Sequence, residues 1–366
     1  MSKLVYISSI AAPHQIRLCE ALNEYMDVTF LFYEYLDDER AEWWKIPLCK
    51  KCHFIDNLLF KRNGRYLTFD VVKKLEEINP DIVMVGGFSI PANYLAYRWA
   101  KKNNKKTLVF TELSRDKNGV LRPFNFTWKL QKFFYRDVDY ILTAHLDATR
   151  QFRDDFKFGD KVITSRYATD LDGHLSHDYR TKKDAYTYLF PNRLVDIYNP
   201  LLAIDIFAEL QSKYPGSKLL LNNEGELKDQ CIAKIKLYGL EDEVEFLSEI
   251  KAWDDLPKVY ERSDILIFPA KFSNGNFSIN ESMASGMGIV ISTKINGHSN
   301  TLTHNKNCFI VEPNKESFID AVEQYISNPE LFKSHAEINK KMMDPLSVKG
   351  TAKFLYDSLK ELRVVD

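Results

Sequence analysis

Residues between two apolar segments, 264–268 and 288–292, have the types and the spacing of an anion-binding site. The first segment is followed by a small, polar stretch at 273–278 and by a short helical pattern that ends at Gly286. A strand, a polar loop, a helix and a strand predict a βαβ unit, whose loop lies at the carboxyl end of the first strand, where open parallel sheets bind ligands. Backbone N–H groups at the start of such a helix favour a phosphate. The sequence therefore predicts a phosphate-binding loop here.

The elements that must position this loop follow one alternating pattern of apolar strands and amphipathic helices. Strands are predicted near 3–8, 28–32, 81–85, 107–111, 139–143, 186–190, 217–221, 244–246 and 308–311, besides the two already named. A polar break at 170–184 interrupts the pattern before it restarts. We therefore expect an α/β protein with two Rossmann-like, doubly wound domains, residues 1–180 and 181–346, that face a central cleft.

Composition excludes several classes of protein. The chain has 366 residues, too many for one ordinary core, and its formal net charge of −1 argues against a general nucleic-acid binder. The longest uncharged run, 82–97, is shorter than the ~20 residues of a spanning helix. No signal-peptide pattern opens the chain, and no Gly-x-Gly-x-x-Gly or Walker loop occurs, which argues against a dinucleotide or P-loop enzyme. We expect a cytoplasmic protein.

The five cysteines are scattered and odd in number, which indicates reduced thiols. Cys49, Cys52 and His53 match the attachment motif of c-type haem, but nothing in the sequence supports an exported chain or a distal axial ligand. A zinc site would need a second pair of ligands at suitable spacing, and the sequence offers none. We therefore interpret the motif as a chance occurrence in a basic loop.

From about residue 186 to 328 the sequence resembles the C-terminal domain of family 4 glycosyltransferases, the retaining enzymes of GT-B fold. The matching pieces occur in the family's order and spacing: Asn192-Arg193-Leu194 with the helix after it, 214–219, Gly239-Leu240 before 244–247, 281–286, and 295–298 where the family has a Gly-rich turn. The N-terminal half resembles the acceptor domain more loosely, through its strand-helix pattern and 111–114.

The resemblance implies transfer of a sugar from a nucleotide-diphosphate donor with retained anomeric configuration, without metal or cofactor, and a final helix at 347–366 that crosses back to the N-terminal domain. Glu281 matches the glutamate that binds the donor ribose, and Arg193 matches an arginine that clamps the pyrophosphate. Each of these two residues has a structural alternative. Glu281 would be a carboxylate favoured by the helix dipole, and Arg193 would form a surface salt bridge. The expected donor-binding residues are Arg193, Lys271, Ser273, Asn274, Gly275, Asn276, Phe277, Ser278 and Glu281.

Three positions depart from the family pattern. Ser273 stands where the family has the glutamate that contacts the donor sugar. Tyr198 and Asn199 stand where a second phosphate-binding cation, a lysine, is expected, and Glu112 lies in the region of a family histidine. We hypothesise that Lys271, on the same loop as Ser273, supplies the missing positive charge, with Lys294 as a weaker candidate.

Candidate acceptor-side residues are fewer. Glu112 is the predicted catalytic residue, a general base for the acceptor hydroxyl, or else a structural carboxylate paired with Arg115 or a lysine. Ser114 is predicted to bind acceptor, although a serine in such a turn is often a cap. His14, in the first strand-to-helix loop, and His298, in the Gly-rich turn, are the other acceptor candidates. An ordinary loop histidine is the alternative for His14.

The segment 101–136 contains ten basic and two acidic residues together with many aromatic ones. A helix is predicted at 124–135, within the basic, aromatic stretch 115–136. It would suit anionic lipid headgroups, where each basic residue contributes about 1 kcal/mol. In the alternative interpretation the aromatic side chains fill the domain core and the lysines are solvated.

These observations predict a cytoplasmic glycosyltransferase of hexosyltransferase type, acting at the inner face of the membrane or free of it. It would move a sugar from a nucleotide-sugar to a glycan or lipid-linked oligosaccharide acceptor in surface polysaccharide or lipopolysaccharide biosynthesis, with no nucleic-acid partner. The departures from the family pattern leave two alternatives open: a non-catalytic domain that serves as a binding or scaffolding module, or an enzyme with an unusual donor such as a nucleotide monophosphate sugar.

Overall fold

The structure is a computed structural model that describes residues 2–36, 40–62, 64–115, 120–178, 180–181, 183–298 and 300–365. Two compact units make up this part of the chain. The described residues of the first unit are 2–115, 120–170 and 345–365, with the gaps just given, and those of the second lie within 171–344.

Parallel strands form the main sheet of the first unit. The strands of the first unit are β1 (Lys3–Ile10), β2 (Asp27–Glu34), β3 (Cys52–Phe54), β4 (Phe60–Arg62), β5 (Arg65–Leu67), β6 (Ile82–Gly86), β7 (Lys106–Thr111), β8 (Tyr140–Thr143) and β9 (Val162–Thr164). Strands β4 and β5 form a separate hairpin. Its first helices are α1 (Pro13–Leu22), α2 (Asp70–Ile78), α3 (Pro91–Lys102), α4 (Phe126–Phe134) and α5 (Leu146–Arg150). The main sheet has the order β3-β2-β1-β6-β7-β8-β9.

Helices cover both faces of this sheet, and that is why the middle of a central strand such as β1 is apolar on both faces. Val5 and Ile7 of β1 lie in one hydrophobic layer, and Leu4 and Tyr6 lie in the other. Alternate side chains of a strand point to opposite faces, so a strand buried on both faces needs apolar residues at every position. The uninterrupted apolar runs in the sequence have this cause.

The second unit repeats the design. Its strands are β10 (Thr187–Phe190), β11 (Lys218–Leu221), β12 (Val244–Phe246), β13 (Ile265–Phe268), β14 (Ser273–Asn274), β15 (Gly288–Ser292), β16 (Ile295–Asn296) and β17 (Phe309–Val311). Its helices are α6 (Pro200–Lys213), α7 (Lys228–Tyr238), α8 (Leu256–Glu261), α9 (Phe277–Ala284), α10 (Lys315–Ser327) and α11 (Glu330–Met343). The parallel main sheet has the order β12-β11-β10-β13-β15-β17, and β14 pairs with β16.

The last helix, α12 (Val348–Glu361), belongs to the first unit. Leu355 and Leu359 of α12 share a hydrophobic core with Ile16 and Leu22 of α1. The chain therefore returns to its first unit after completing the second. Among the described residues, none of the helices has both the length and the apolar character needed to cross a bilayer.

Candidate functional site

The strand order of the second unit places a topological switch point at the carboxyl end of β10, where open parallel sheets form a ligand-binding crevice. This strand has β11 on one side and β13 on the other, so the connections after β10 and β13 leave the sheet in opposite directions. The two loops nevertheless touch. The Lys271 N–H donates to the Ile197 carbonyl at 2.9 Å, and the Asn199 side chain donates to the Pro269 carbonyl at 3.2 Å.

Asn192 lies at the centre of this crevice. Its Oδ1 accepts a hydrogen bond from Asn276 Nδ2 at 2.8 Å and a longer one from Ser278 Oγ at 3.4 Å. Asn192 is 7% exposed, and among the residues that the structure describes its Nδ2 has no hydrogen-bond partner. A buried amide donor without a partner is costly unless a ligand or water accepts from it. Asn192 is therefore suited to hold an oxygen-rich ligand.

The start of α9 is capped by its own sequence. Asn276 is the N-cap residue, and its Oδ1 accepts a hydrogen bond from the Ser278 N–H at 3.0 Å. This differs from the expectation of uncommitted N–H groups, because the cap side chain takes one of them. An anion at this end would still meet the positive end of the helix dipole, together with the amide of Asn192.

The loop before α9 is braced by a second chain segment. Ser273 and Asn274 form β14, which pairs in parallel with β16, and the Gly275 N–H donates to the Asn296 carbonyl at 2.9 Å. Gly275 has φ of 75°, a conformation that only glycine adopts easily. Ser273 is 3% exposed and its Oγ lies 3.4 Å from the Gly275 carbonyl oxygen. The predicted loop is thus fixed in one shape.

Glu281 is buried on α9, and its carboxylate accepts a hydrogen bond from the buried hydroxyl of Tyr260. Burial and the charge of Glu281 hold the pKa of Tyr260 well above its usual value, so the hydroxyl stays protonated and remains a donor. His174 packs edge-on against the Tyr260 ring, and its Nδ1 lies 2.9 Å from Ser285 Oγ. Burial lowers the pKa of His174 to about 3, which keeps this imidazole neutral.

The two predicted lysines lie on the surface of this unit, and the predicted arginine is half-buried. Lys271 forms an ion pair with Asp196 at 2.6 Å, and Lys294 forms one with Glu312 at 3.2 Å. Arg193 is half-buried in the loop after β10. Because an exposed ion pair contributes about 0–1 kcal/mol, Lys271 can exchange Asp196 for a more highly charged partner at little cost.

The loop after β11 closes against the loop after β10. The Leu194 N–H donates to the Glu224 carbonyl at 2.7 Å, and the Leu227 N–H donates to the Leu194 carbonyl at 2.8 Å. Gly225 lies between these contacts, where a Cβ atom would overlap the backbone of Leu194. Arg193 is thereby held between Asn192 and an anchored residue.

In the first unit, Glu112 and His14 both lie beside one tyrosine. The Tyr167 hydroxyl donates a hydrogen bond to the exposed carboxylate of Glu112, and the His14 ring meets the Tyr167 ring edge-on at 6.3 Å. Burial, with the charge of Arg40, lowers the pKa of His14 to about 3. His14 is therefore neutral at pH 7, able to accept or donate a hydrogen bond but not to supply a positive charge.

Ser114 and His298 take part in local backbone structure. The Ser114 N–H donates to Gln151 Oε1 at 2.7 Å, and Gln151 Nε2 donates back to the Ser114 carbonyl at 3.0 Å. The His298 carbonyl accepts from the N–H groups of Thr301 and Leu302, both at 2.8 Å. His298 follows β16, so it lies on the segment that braces the loop before α9.

The aromatic residues of α4 divide between the core and the surface. Trp128 packs against Phe152 and Phe156 in the hydrophobic core. The exposed apolar side chains are Phe126, Leu130, Phe133 and Phe134, of which Phe126 is 78% exposed. Their spacing places all four along one stripe of the helix. The burial of Trp128 agrees with the interpretation in which aromatic side chains fill the core, and contact of the exposed stripe with lipid stays a prediction. Residues 116–119 of the stretch lie outside the described residues.

Three residues of these sites were not predicted. Asn192 was noted only as part of a matching motif, and neither Tyr260 nor Tyr167 was noted at all. Their partners are far away along the chain: Asn192 is 84 residues from Asn276, and Tyr167 is 55 residues from Glu112. No periodicity or spacing connects such positions, although a lone asparagine directly after a buried strand is a usable signal.

The architecture of parallel sheets with helices on both faces is that of the GT-B glycosyltransferase fold, as expected. A glycosyltransferase from Rickettsia africae has the same fold, with a TM-score of 0.75, 16% identity, and coverage of 99% of this chain and 98% of that one. HepE from Anabaena, solved with UDP-glucose, superposes with a TM-score of 0.72 at 12% identity over 99% of this chain and 100% of HepE.

Sequence comparison agrees with this assignment for the second unit. Residues 175–342 match the family described as glycosyl transferases group 1. An uncharacterized glycosyltransferase from Haemophilus influenzae is 25% identical over 146 residues, which are 40% of this chain and 40% of that protein. The chain thus matches less than half the length of this curated relative.

Proposed function

We propose that this protein is a GT-B glycosyltransferase, of hexosyltransferase type, that transfers a sugar from a nucleotide-sugar donor to a glycan or lipid-linked acceptor with retention of configuration. The observation that carries the proposal is the meeting of Asn192, Asn276 and Ser278 where the strand order reverses in the second unit. The glycosyl transferases group 1 match covers this region, and HepE, of the same fold, was solved with UDP-glucose.

In the proposed binding mode, the donor phosphates lie at the start of α9. Arg193 contacts them through its guanidinium, and Lys271 joins after exchanging Asp196 for phosphate. Asn192 Nδ2 donates to a donor oxygen. Glu281, oriented by the Tyr260 hydroxyl, accepts hydrogen bonds from the ribose. The remaining predicted contacts come from the braced loop of Ser273, Asn274, Gly275, Asn276, Phe277 and Ser278.

In the proposed reaction, the bond between the sugar C1 and the phosphate oxygen breaks and a bond from C1 to the acceptor oxygen forms. Fixed positive charges and dipoles stabilise the negative charge that develops on the leaving phosphate. Glu112 takes the proton of the acceptor hydroxyl, while the Tyr167 hydroxyl orients its carboxylate. His14, Ser114 and His298 are the proposed acceptor contacts. The proposed reaction needs no metal and no cofactor.

A panel of UDP, GDP and CMP, each alone and as the nucleotide-sugar, tests the proposal by thermal shift and by hydrolysis of the sugar phosphate. We expect one nucleoside diphosphate to raise the melting temperature, and Arg193→Ala to abolish that rise. Lys315→Ala, which removes a cation from an exposed pair with Glu209, is the control that should keep it. Lack of any shift with all six compounds would contradict the proposal.

A second candidate function is a non-catalytic binding or scaffolding module. The specific observation in its favour is Ser273, buried with its hydroxyl facing its own loop, at the position where the resembling family has an acidic residue. This candidate predicts no turnover with any nucleotide-sugar. A nucleotide that binds without hydrolysis or transfer would support it over the enzyme.

We further propose that the protein works at the cytoplasmic face of a membrane in surface polysaccharide or lipopolysaccharide assembly. The support is the exposed apolar stripe of α4. The same helix also carries Lys129, and it lies within a strongly basic segment. Vesicles containing anionic lipid should sediment the protein at low salt. The double variant Phe126→Ser and Phe133→Ser should stay in solution, and equal sedimentation of both proteins would contradict this role.

A further inference from the structure

Three cysteine thiols come together in the first unit, in a place that has no part in the proposed transfer reaction. The ligand atoms of Cys19, Cys49 and Cys52 all lie within 4.8 Å of one another. The sulfurs of Cys49 and Cys52 are 2.6 Å apart. The remaining two cysteines, Cys231 and Cys308, are separate and lie in the second unit. The fold therefore brings together three of the five cysteines.

The fold assembles this cluster from two distant segments. Cys49 and Cys52 lie on either side of a tight turn, closed by the Cys52 N–H donating to the Cys49 carbonyl at 3.0 Å, and Cys52 begins β3. Strand β3 pairs with β2, where Cys52 is opposite Phe30. Helix α1 packs over the same edge of the sheet, and its Cys19 sulfur lies 3.8 Å from the Lys51 carbonyl oxygen. The third thiol thus faces the pair.

This finding changes the interpretation of the Cys-x-x-Cys motif. On sequence alone a zinc site lacked further ligands, but Cys19, 30 residues before Cys49 in the chain, supplies one. Zn–S bonds of about 2.3 Å in a tetrahedron put the sulfurs roughly 3.8 Å apart. The three sulfurs lie within 4.8 Å of one another, and the Cys49 and Cys52 sulfurs, now 2.6 Å apart, must separate by about 1.2 Å to hold the ion. His53 follows Cys52 on a strand and is exposed, so it points away from the buried thiols.

We propose that Cys19, Cys49 and Cys52 bind one thiophilic cation, Zn²⁺, with a water molecule as the fourth ligand. Binding releases the three thiol protons to solvent as three sulfur–zinc bonds form. Cys19 and Cys52 are buried, whereas Cys49 is half-buried and leaves a route for the ion. The site carries a formal charge of −1. Asn23 Nδ2 lies 3.7 Å from the Cys19 sulfur and donates its two hydrogens to the Cys19 and Val28 carbonyls at 2.7 and 2.9 Å. Lys50, exposed in the turn itself, offsets part of the charge of the site, while Lys51 pairs with Asp27 at 2.7 Å.

The bound ion would join α1 to the edge strand β3. Both elements pack on the sheet through apolar contacts, and Cys19 and Cys52 belong to the same hydrophobic core. An ion that binds the folded protein stabilises it by mass action, because the unfolded chain has no assembled site for that ion. The proposed role of the site is therefore structural, and it is independent of whether the protein transfers a sugar.

The test uses the full-length, reduced protein freed of metal by a chelator and then titrated with Zn²⁺ or Cd²⁺. We expect one ion per chain by native mass spectrometry, a thiolate-to-cadmium charge-transfer band, and a higher melting temperature with zinc. Cys19→Ser and Cys49→Ser should each weaken binding at least about 100-fold. Cys231→Ser removes a buried thiol outside the cluster and should bind zinc like the unchanged protein.

Two outcomes would overturn the proposal. In the first, Cys49 and Cys52 form a disulfide, for which they are close enough. The unreduced protein would then bind no zinc, and after denaturation it would show three reactive thiols. Five reactive thiols without zinc binding would instead mean that the cluster is ordinary buried packing. Because Cys49 is half-buried, Cys49→Ser remains informative even if Cys19→Ser fails to fold.

Discussion

At the scale of single residues, a hydrogen bond in the second unit joins a buried carboxylate to another buried group. Tyr260 is 1% exposed and Glu281 is 5% exposed, and the Tyr260 hydroxyl donates to the Glu281 carboxylate. Removing a donor from a buried charged acceptor costs more than losing the same bond at the surface. This pair should therefore contribute both to stability and to the orientation of Glu281.

We predict that Tyr260→Phe lowers the free energy of unfolding by about 1–3 kcal/mol, because the carboxylate loses a donor in a buried place. Tyr238→Phe is the matched control, since its hydroxyl donates to Asp205 at 2.6 Å from a side chain that is 44% exposed. Urea unfolding monitored by circular dichroism measures both. Equal losses in the two variants would contradict the argument from burial.

Stability should also depend on pH through the buried histidines. Burial lowers the pKa of His174 from 6.5 to about 3, so the folded protein keeps this ring neutral while the unfolded chain takes up a proton below pH 6.5. The contribution is fully present above pH 6.5 and is lost as the pH falls toward 3. Between pH 7 and pH 5 it amounts to about 2 kcal/mol per histidine.

We therefore predict that His174→Asn, which keeps a polar atom near Ser285, loses less stability between pH 7 and pH 5 than the unchanged protein. His53→Asn makes the same substitution at an exposed position of the first unit and is the matched control. Thermal unfolding at a series of pH values provides the comparison. Parallel curves for all three proteins would show that His174 does not titrate on unfolding as described.

At the scale of elements, two helices of the second unit, α9 and α10, begin with an asparagine cap. Asn276 caps α9 and also reaches Asn192, whereas Asn314 caps α10 by accepting from the Ser317 N–H at 2.8 Å. Both caps satisfy an N–H group that the first helical turn leaves without a partner. Only the first is linked to the crevice residue, so only the first should affect the proposed ligand.

We predict that Asn276→Ala and Asn314→Ala each destabilise the protein by about 1 kcal/mol, since each helix loses its cap. Only Asn276→Ala should weaken nucleotide binding, because it also releases Asn192. Calorimetry with the nucleotide selected by the thermal-shift panel separates the two effects. A loss of affinity in Asn314→Ala of similar size would assign the effect to general destabilisation.

At the scale of the whole molecule, the chain completes its first unit only with its last helix. Leu359 of α12 is fully buried in the core that contains Leu4 of β1 and residues of α1. The first unit is therefore built from the two ends of the sequence, and its stability depends on residues that follow the second unit. The prediction that His14 lies in the loop before α1 is wrong: it is the second residue of α1, so the same packing supports that candidate site.

We predict that Leu359→Ala lowers the free energy of unfolding by about 2–5 kcal/mol, through lost apolar burial and the cavity it leaves. Lys360→Ala, at the exposed neighbouring position of the same helix, should change it by no more than about 0.5 kcal/mol. Hydrogen exchange of β1 amides offers an independent readout. Unchanged protection of β1 in Leu359→Ala would mean that α12 is not part of that core.

Local patterns in the sequence determined the fold class and the location of the main loop. Strands such as β1 and β13 are buried on both faces, so their composition alone identifies them, and the cap and the closing Gly286 mark α9 at both ends. The three-residue strands β3 and β9 and the short helix α2 were not predicted. A strand of three residues is too short to show a period by itself, and its pairing depends on a neighbour elsewhere in the chain. Strands β12 and β17 are equally short and were predicted from their place in the alternating pattern.

Which residues meet was decided only by the tertiary structure. The link between Asn192 and Asn276, the bracing of β14 by β16, and the arrival of Cys19 beside Cys49 all join segments that are separate in the sequence. Such contacts depend on which strands become neighbours, and burial of the whole apolar surface sets that order. The amino-acid sequence therefore indicated which loop to propose as the binding site, while packing determined which side chains surround that loop.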